Sequence, residues 1–75
     1  MWQEENNILY KKFTFKDFVA AFSFMTSVAI LAEKANHHPT FKNTYNVVEI
    51  WLTTHDAGNT ITEKDTALAK QIDKI

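Results

Sequence analysis

Val47-Val48-Glu49-Ile50-Trp51-Leu52-Thr53-Thr54-His55 is the stretch on which the fold turns. Val48, Ile50, Leu52 and Thr54 share one parity; Glu49, Trp51, Thr53 and His55 share the other. Alternation of this kind marks a strand with one covered face. The first set suits a face packed under helices. Trp51, on the second, is left with three possible environments: solvent, a partner, or a ligand-facing surface. Upstream, Thr40 to Tyr45 reads as another strand, with a hairpin around Tyr45-Asn46. Farther back, Ile8 to Phe15 is a third, with Leu9, Phe13 and Phe15 on its core parity. Lys11 shares that parity, so its stem is expected to pack while its ammonium reaches water. Trp2 to Glu5 forms a fourth, with Asn6-Asn7 as the turn.

Helical spacing fills the gaps. Thr14 with Asp17 resembles a capping box, and a helix is predicted from Lys16 to Ala35, roughly 30 Å long at 1.5 Å per residue. Phe18, Phe22, Met25, Ala29 and Ala32 make one apolar stripe, while Val19, Phe24, Val28 and Leu31 lie partly outside it. One sheet cannot cover so much of a helix, so a second face is expected to bury against another subunit. Pro39 stops the helical pattern and pushes His38 towards an extended conformation. Asp56-Ala57-Gly58-Asn59 reads as a turn. Thr62 with Asp65 is a second cap-like pair, opening a last helix with Leu68, Ile72 and Ile75 on its buried stripe. Strand, strand, helix, strand, strand, helix (ββαββα), with helices on one face of an antiparallel sheet, is an α+β layer fold.

Composition narrows the function. The chain has 75 residues, room for one domain spanning 1–75. So short a chain buries only about 60% of its extended surface on folding. With no cysteine, disulfides and thiolate zinc sites are excluded, and oligomerisation is the remaining way to add stability. Every basic residue is a lysine and the net charge is −1, which argues against direct nucleic-acid binding. The opening Met-Trp-Gln-Glu-Glu lacks the pattern of a secretory signal. The apolar run Phe18 to Ala32, broken by Ser23, Thr26 and Ser27, is read as too short to span a bilayer. No membrane role and a cytoplasmic location are therefore expected.

The chemistry gathers in two clusters, Glu33-Lys34-Ala35-Asn36-His37-His38-Pro39 and Thr53-Thr54-His55-Asp56. Each falls where a regular element ends, a place that holds side chains firmly yet open to a ligand. Histidine exchanges protons near neutrality. Two other readings remain: His37 and His38 cap a helix C-terminus, where positive charge is welcome, or the three histidines bind zinc. Adjacent residues of an extended segment point apart, which suits shared chelation poorly. Glu33 and Lys34 also read as ordinary helix-end charges, and Asp65 as a cap before a site residue. No glycine-rich phosphate loop, cysteine nucleophile or serine elbow is present. The residues thus give an acid–base site without a covalent nucleophile, and no substrate.

The run Phe13-Thr14-Phe15-Lys16-Asp17-Phe18, then Ala21-Phe22-Ser23-Phe24-Met25, Ala32-Glu33-Lys34, Asn36-His37-His38-Pro39, Asn43, Tyr45, Thr54-His55 and Thr62-Glu63-Lys64-Asp65 resembles the pterin-4a-carbinolamine dehydratases over essentially the whole chain. The resemblance implies a four-stranded antiparallel sheet with helices on one face, and dimers or tetramers joined through the long helix. It implies loss of water from 4a-hydroxytetrahydropterin to give quinonoid dihydropterin, with no metal or organic cofactor. The family's catalytic histidines fall on His37, His38 and His55. Its pterin-flanking positions fall on Glu33, Pro39, Phe41, Thr54, Asp56 and Asp65. Asn36 stands where many members carry aspartate, and Phe41 where tryptophan is usual. The His55–Asp65 turn is one residue longer than the common form, and the family's usual first helix has no counterpart. Some members also serve as dimerisation partners of a transcription factor, so a non-catalytic binding or assembly role on the same fold is the competing expectation.

Overall fold

In a computed structural model describing residues 1–75, the elements are β1 (Gln3–Glu5), β2 (Ile8–Thr14), α1 (Phe18–Ala35), β3 (Thr40–Thr44), β4 (Val47–Leu52) and α2 (Glu63–Asp73), with a 3₁₀ turn at His55–Ala57. The strands form one antiparallel sheet in the order β1-β2-β4-β3. Asn6 and Asn7 both take positive φ in the first hairpin, and Tyr45 does so in the second, matching the twist that tight hairpins need. The alternation in β4 is realised in full. Val48, Ile50 and Leu52 are buried under the helices, while Glu49 and Trp51 are half-buried on the other face.

The core joins those three residues to Leu9, to Ala21, Phe24, Val28 and Ala32 of α1, and to Leu68, Ala69 and Ile72 of α2. Of the stripe expected of α1, Ala32 is buried and Met25 packs against the core, but the other three members are not seated. Phe18 and Phe22 are 46% and 53% exposed, and Ala29 is also exposed, whereas Phe24 and Val28 are buried. The small Ala21 and Ala32 let the helix sit close to the sheet, and Phe24 fills the space beside Phe13 and Phe15, with centroids 4.6 and 4.9 Å away.

The helix also starts later than Lys16. Asp17 itself is the N-cap, its carboxylate accepting from the Ala20 amide at 2.8 Å, so the expected Thr14–Asp17 box does not form. At 18 residues α1 is long and apolar enough, by length and composition alone, to cross a membrane, which corrects the reading of this run as too short. Its seated face is that of a core helix.

In α2, Leu68 and Ile72 are buried as expected, but Ile75 is 52% exposed and Ala69 takes its place. Lys11 packs as predicted, yet its ammonium meets Asp73 at 2.8 Å rather than only water. Asp73 also accepts from the Trp2 indole at 3.1 Å, so the end of α2 is tied to β2 and to the residue just before β1.

Candidate active site

His37 is aimed by the way α1 ends. Asn36 adopts the left-handed conformation (φ 51°), and the His37 amide donates back to the Ala32 carbonyl at 3.0 Å. This is the closing bond of a Schellman-type cap, in which asparagine tolerates the positive φ. The chain therefore leaves the helix three residues before Pro39 and carries His37 inwards.

His37 Nε2 lies 2.5 Å from Asp65 Oδ1, a carboxylate with no solvent exposure. The other carboxylate oxygen, Oδ2, accepts from the Thr54 hydroxyl at 2.7 Å and from the Thr62 amide at 2.9 Å. Since the Thr54 proton is committed to Asp65, Thr62 must donate its own in the 2.7 Å contact between the two hydroxyls. Thr62 Oγ1 in turn accepts from the Lys64 amide. The predicted cap pair exists, and its acid is also the anchor of His37. Burial pushes the Asp65 carboxyl up, but the hydrogen bonds from His37, Thr54 and Thr62 outweigh it and hold the group below its ordinary value. An ionised Asp65 accepts only, so a neutral His37 places its proton on Nε2 and keeps Nδ1 as a lone pair.

His38 points elsewhere, its Nε2 2.8 Å from Glu33 Oε1, with both side chains largely exposed. His55 opens the 3₁₀ turn after β4, which Gly58 closes with φ 81° and an N–H that donates to the His55 carbonyl. All three histidines border one polar cleft of about 200 Å³, together with Thr54 and Asp56. Asn36, Thr53 and Lys64 complete its wall, and no group of three or more potential metal ligands is assembled there or elsewhere.

Across residues 1–75 the sequence matches the family model described as pterin 4 alpha carbinolamine dehydratase. The chain belongs to this family. A Prochlorococcus marinus (strain NATL2A) protein provisionally named pterin-4-alpha-carbinolamine dehydratase is 50% identical over 74 residues, covering 99% of this chain and 77% of that protein. A similarly named protein of Synechococcus sp. (strain WH7803) is 50% identical over 74 residues, 99% of this chain and 78% of its own. The solved structure of a transcriptional coactivator/pterin dehydratase from Brucella melitensis superposes with a TM-score of 0.91 at 40% identity, covering 97% of this chain and 79% of that one. A second structure, of a pterin dehydratase-like RuBisCO assembly factor of the alpha-carboxysome, gives 0.79 at 24% identity over 99% and 84% of the two chains. At that identity the likeness is one of fold.

Not every residue that the family resemblance nominated reaches the cleft. Phe41 pairs with Ile50 across the sheet and packs against the core. Pro39 is half-buried beside β3 without lining the cleft, Glu33 reaches it only through His38, and Asp65 lies behind His37. Asn36, Thr53 and Lys64 line the cleft without having been nominated as site residues. The signal for Lys64 was the Thr62–Asp65 pair: it fixes where α2 starts, and Lys64, in that first turn, falls at the rim.

Proposed function

We propose that this protein dehydrates a 4a-hydroxytetrahydropterin, with His37, His38 and His55 as its acid–base set. The observation that carries the reading is the meeting of all three imidazoles, from two distant segments, around one cleft. Family membership supports the same chemistry. At about 200 Å³ the cleft is below the ~300–1,000 Å³ of sites that enclose a drug-sized ligand, so a flat bicyclic ring would fill it and leave its side chain outside.

In the reaction the C4a–O bond breaks, the oxygen leaves as water after gaining a proton, and the pterin ring gives up a proton. His37, with Nε2–H held by Asp65, is the proton acceptor through Nδ1. His38 and His55 are left to deliver the proton to the departing oxygen. Each such transfer typically contributes about 10²- to 10⁴-fold. Thr54 acts through Asp65, while Asp56 and Lys64 contact substrate at the rim. Glu33, Pro39 and Phe41 act on the site through its neighbours. No cofactor or metal takes part, and the role is tetrahydrobiopterin recycling in the cytoplasm, apart from nucleic acid and membrane.

The protein works as a homodimer or homotetramer joined along α1, because Phe18, Val19 and Phe22 form an exposed apolar side of the kind monomers rarely leave bare. The same side favours a second reading, a binding or assembly protein, or a transcription-factor partner, on this fold. Stopped-flow dehydration of freshly generated 4a-hydroxytetrahydropterin separates the two. Acceleration by wild type, lost by about 10²-fold or more in a folded His37→Ala, His38→Ala or His55→Ala variant, is expected. A folded, assembled wild type that gives no acceleration would leave the binding protein.

A further inference from the structure

The sheet has a second concave feature, on the face that no helix covers. Tyr10 of β2 and Trp51 of β4 are cross-strand partners, with ring centroids 5.3 Å apart. They border a cleft of about 430 Å³ whose walls also carry Glu5 and Glu49 but no lysine. The Tyr10 hydroxyl donates to Glu49 Oε1 at 2.8 Å, leaving Oε2 and the Glu5 carboxylate without a protein donor. Lys12 and Lys42 are paired with Glu49 in the ladder, yet neither forms an ion pair with it. The cleft therefore joins two aromatic side chains to two carboxylates, with Lys12 and Lys42 flanking Glu49 on the same face but outside the walls.

A cation is the complement of that surface, since ring faces and carboxylates attract it together. Among cations a guanidinium fits best: it is planar, weakly hydrated, stacks on indole and forks to a carboxylate. The volume exceeds what one guanidinium fills, and Gln3, Asn6 and Ile8 extend the walls, so the residues flanking the arginine also find contacts. We propose that this outer-face cleft receives an arginine side chain from a basic peptide segment of a partner protein, stacked on Trp51 and bonded to Glu49 and Glu5. The proposal does not depend on the dehydratase reading, because it involves the opposite side of the sheet from the core that carries His37 and Asp65.

Trp51 can report on its own occupancy. Only one other tryptophan exists, Trp2, so a Trp2→Phe background isolates its emission. An acetylated pentapeptide with one arginine between two lysines is titrated in, beside a twin carrying citrulline and beside arginine amide alone. A saturable change in Trp51 emission with the arginine peptide is expected, about tenfold or more weaker for the citrulline twin and for a folded Glu49→Gln variant, and weakened by salt. Glu5→Gln, at an exposed strand end, provides the same comparison if Glu49→Gln fails to fold. An unchanged emission, equal binding of the citrulline twin, or arginine amide binding as tightly as the peptide would each overturn the proposal.

Discussion

His37 and His38 are consecutive residues of one type, and the inner wall of the cleft treats them differently from its lip. On the inner wall, His37 is joined to a carboxylate with no exposure that also receives Thr54 and the start of α2. At the lip, His38 is joined to Glu33 with more than half of each side chain in water. The imidazole–carboxylate contact is similar in kind, and its surroundings decide its worth. Water screens an exposed pair to little net effect, whereas a buried carboxylate that loses its donors is left with an uncompensated charge.

That contrast is open to attack from both sides. Asp65→Ala should do the most damage, since it removes the acceptor for the Thr62 amide in the α2 capping box, the Thr54 acceptor and the His37 anchor together. Chemical unfolding is expected to show a loss of about 3–5 kcal/mol. A loss no greater than that of a surface substitution would remove the distinction between wall and lip. His37→Gln should keep most of the fold yet slow dehydration by about 10²-fold or more. If His38→Gln slows it as much with the same pH profile, the anchoring by Asp65 confers nothing special.

The acid limb offers a sharper test. The Asp65 carboxyl is held below its ordinary value, so its contribution is complete above about pH 4, the usual aspartate range. It is lost as the pH falls further, through the group's own lower value. Unfolding followed between about pH 5 and 2 should show wild type losing more stability than Asp65→Asn, so the two curves converge in acid. The smallest effect belongs to Glu33→Gln, whose unfolding midpoint should match wild type within error. A clear shift there would mean that the lip pair is less screened than its exposure implies.

Much of this architecture was legible because its signals are local. The β4 alternation, the Asn6-Asn7 and Tyr45-Asn46 turns and the Thr62–Asp65 cap are set by neighbours a few residues apart, and each appears where expected. The core face of α1 was not legible. Phe18 and Phe22 are as apolar as Phe24 and Val28, so periodicity found two faces and could not rank them. What ranks them is the room above the sheet, where Ala21 permits close approach and Phe24 meets Phe13 and Phe15. The cap at Asp17 was displaced because an aspartate that can cap by itself needs no threonine before it.

In the site, the histidine clusters announced themselves by type and by position at element ends. The bond between His37 and Asp65 joins residues 28 apart, and no local rule reaches that far. The left-handed Asn36 that turns His37 inwards was likewise hidden, because Pro39 looked like the reason for the stop.

Asp65 occupies the first turn of α2, and first turns are where helices fray. A brief unwinding there would release the Thr62 amide and swing the carboxylate off His37 while the sheet and the remainder of α2 stayed intact. Warming should then erode turnover before it erodes the circular dichroism signal, with the gap between the two curves measuring how often α2 opens at its start.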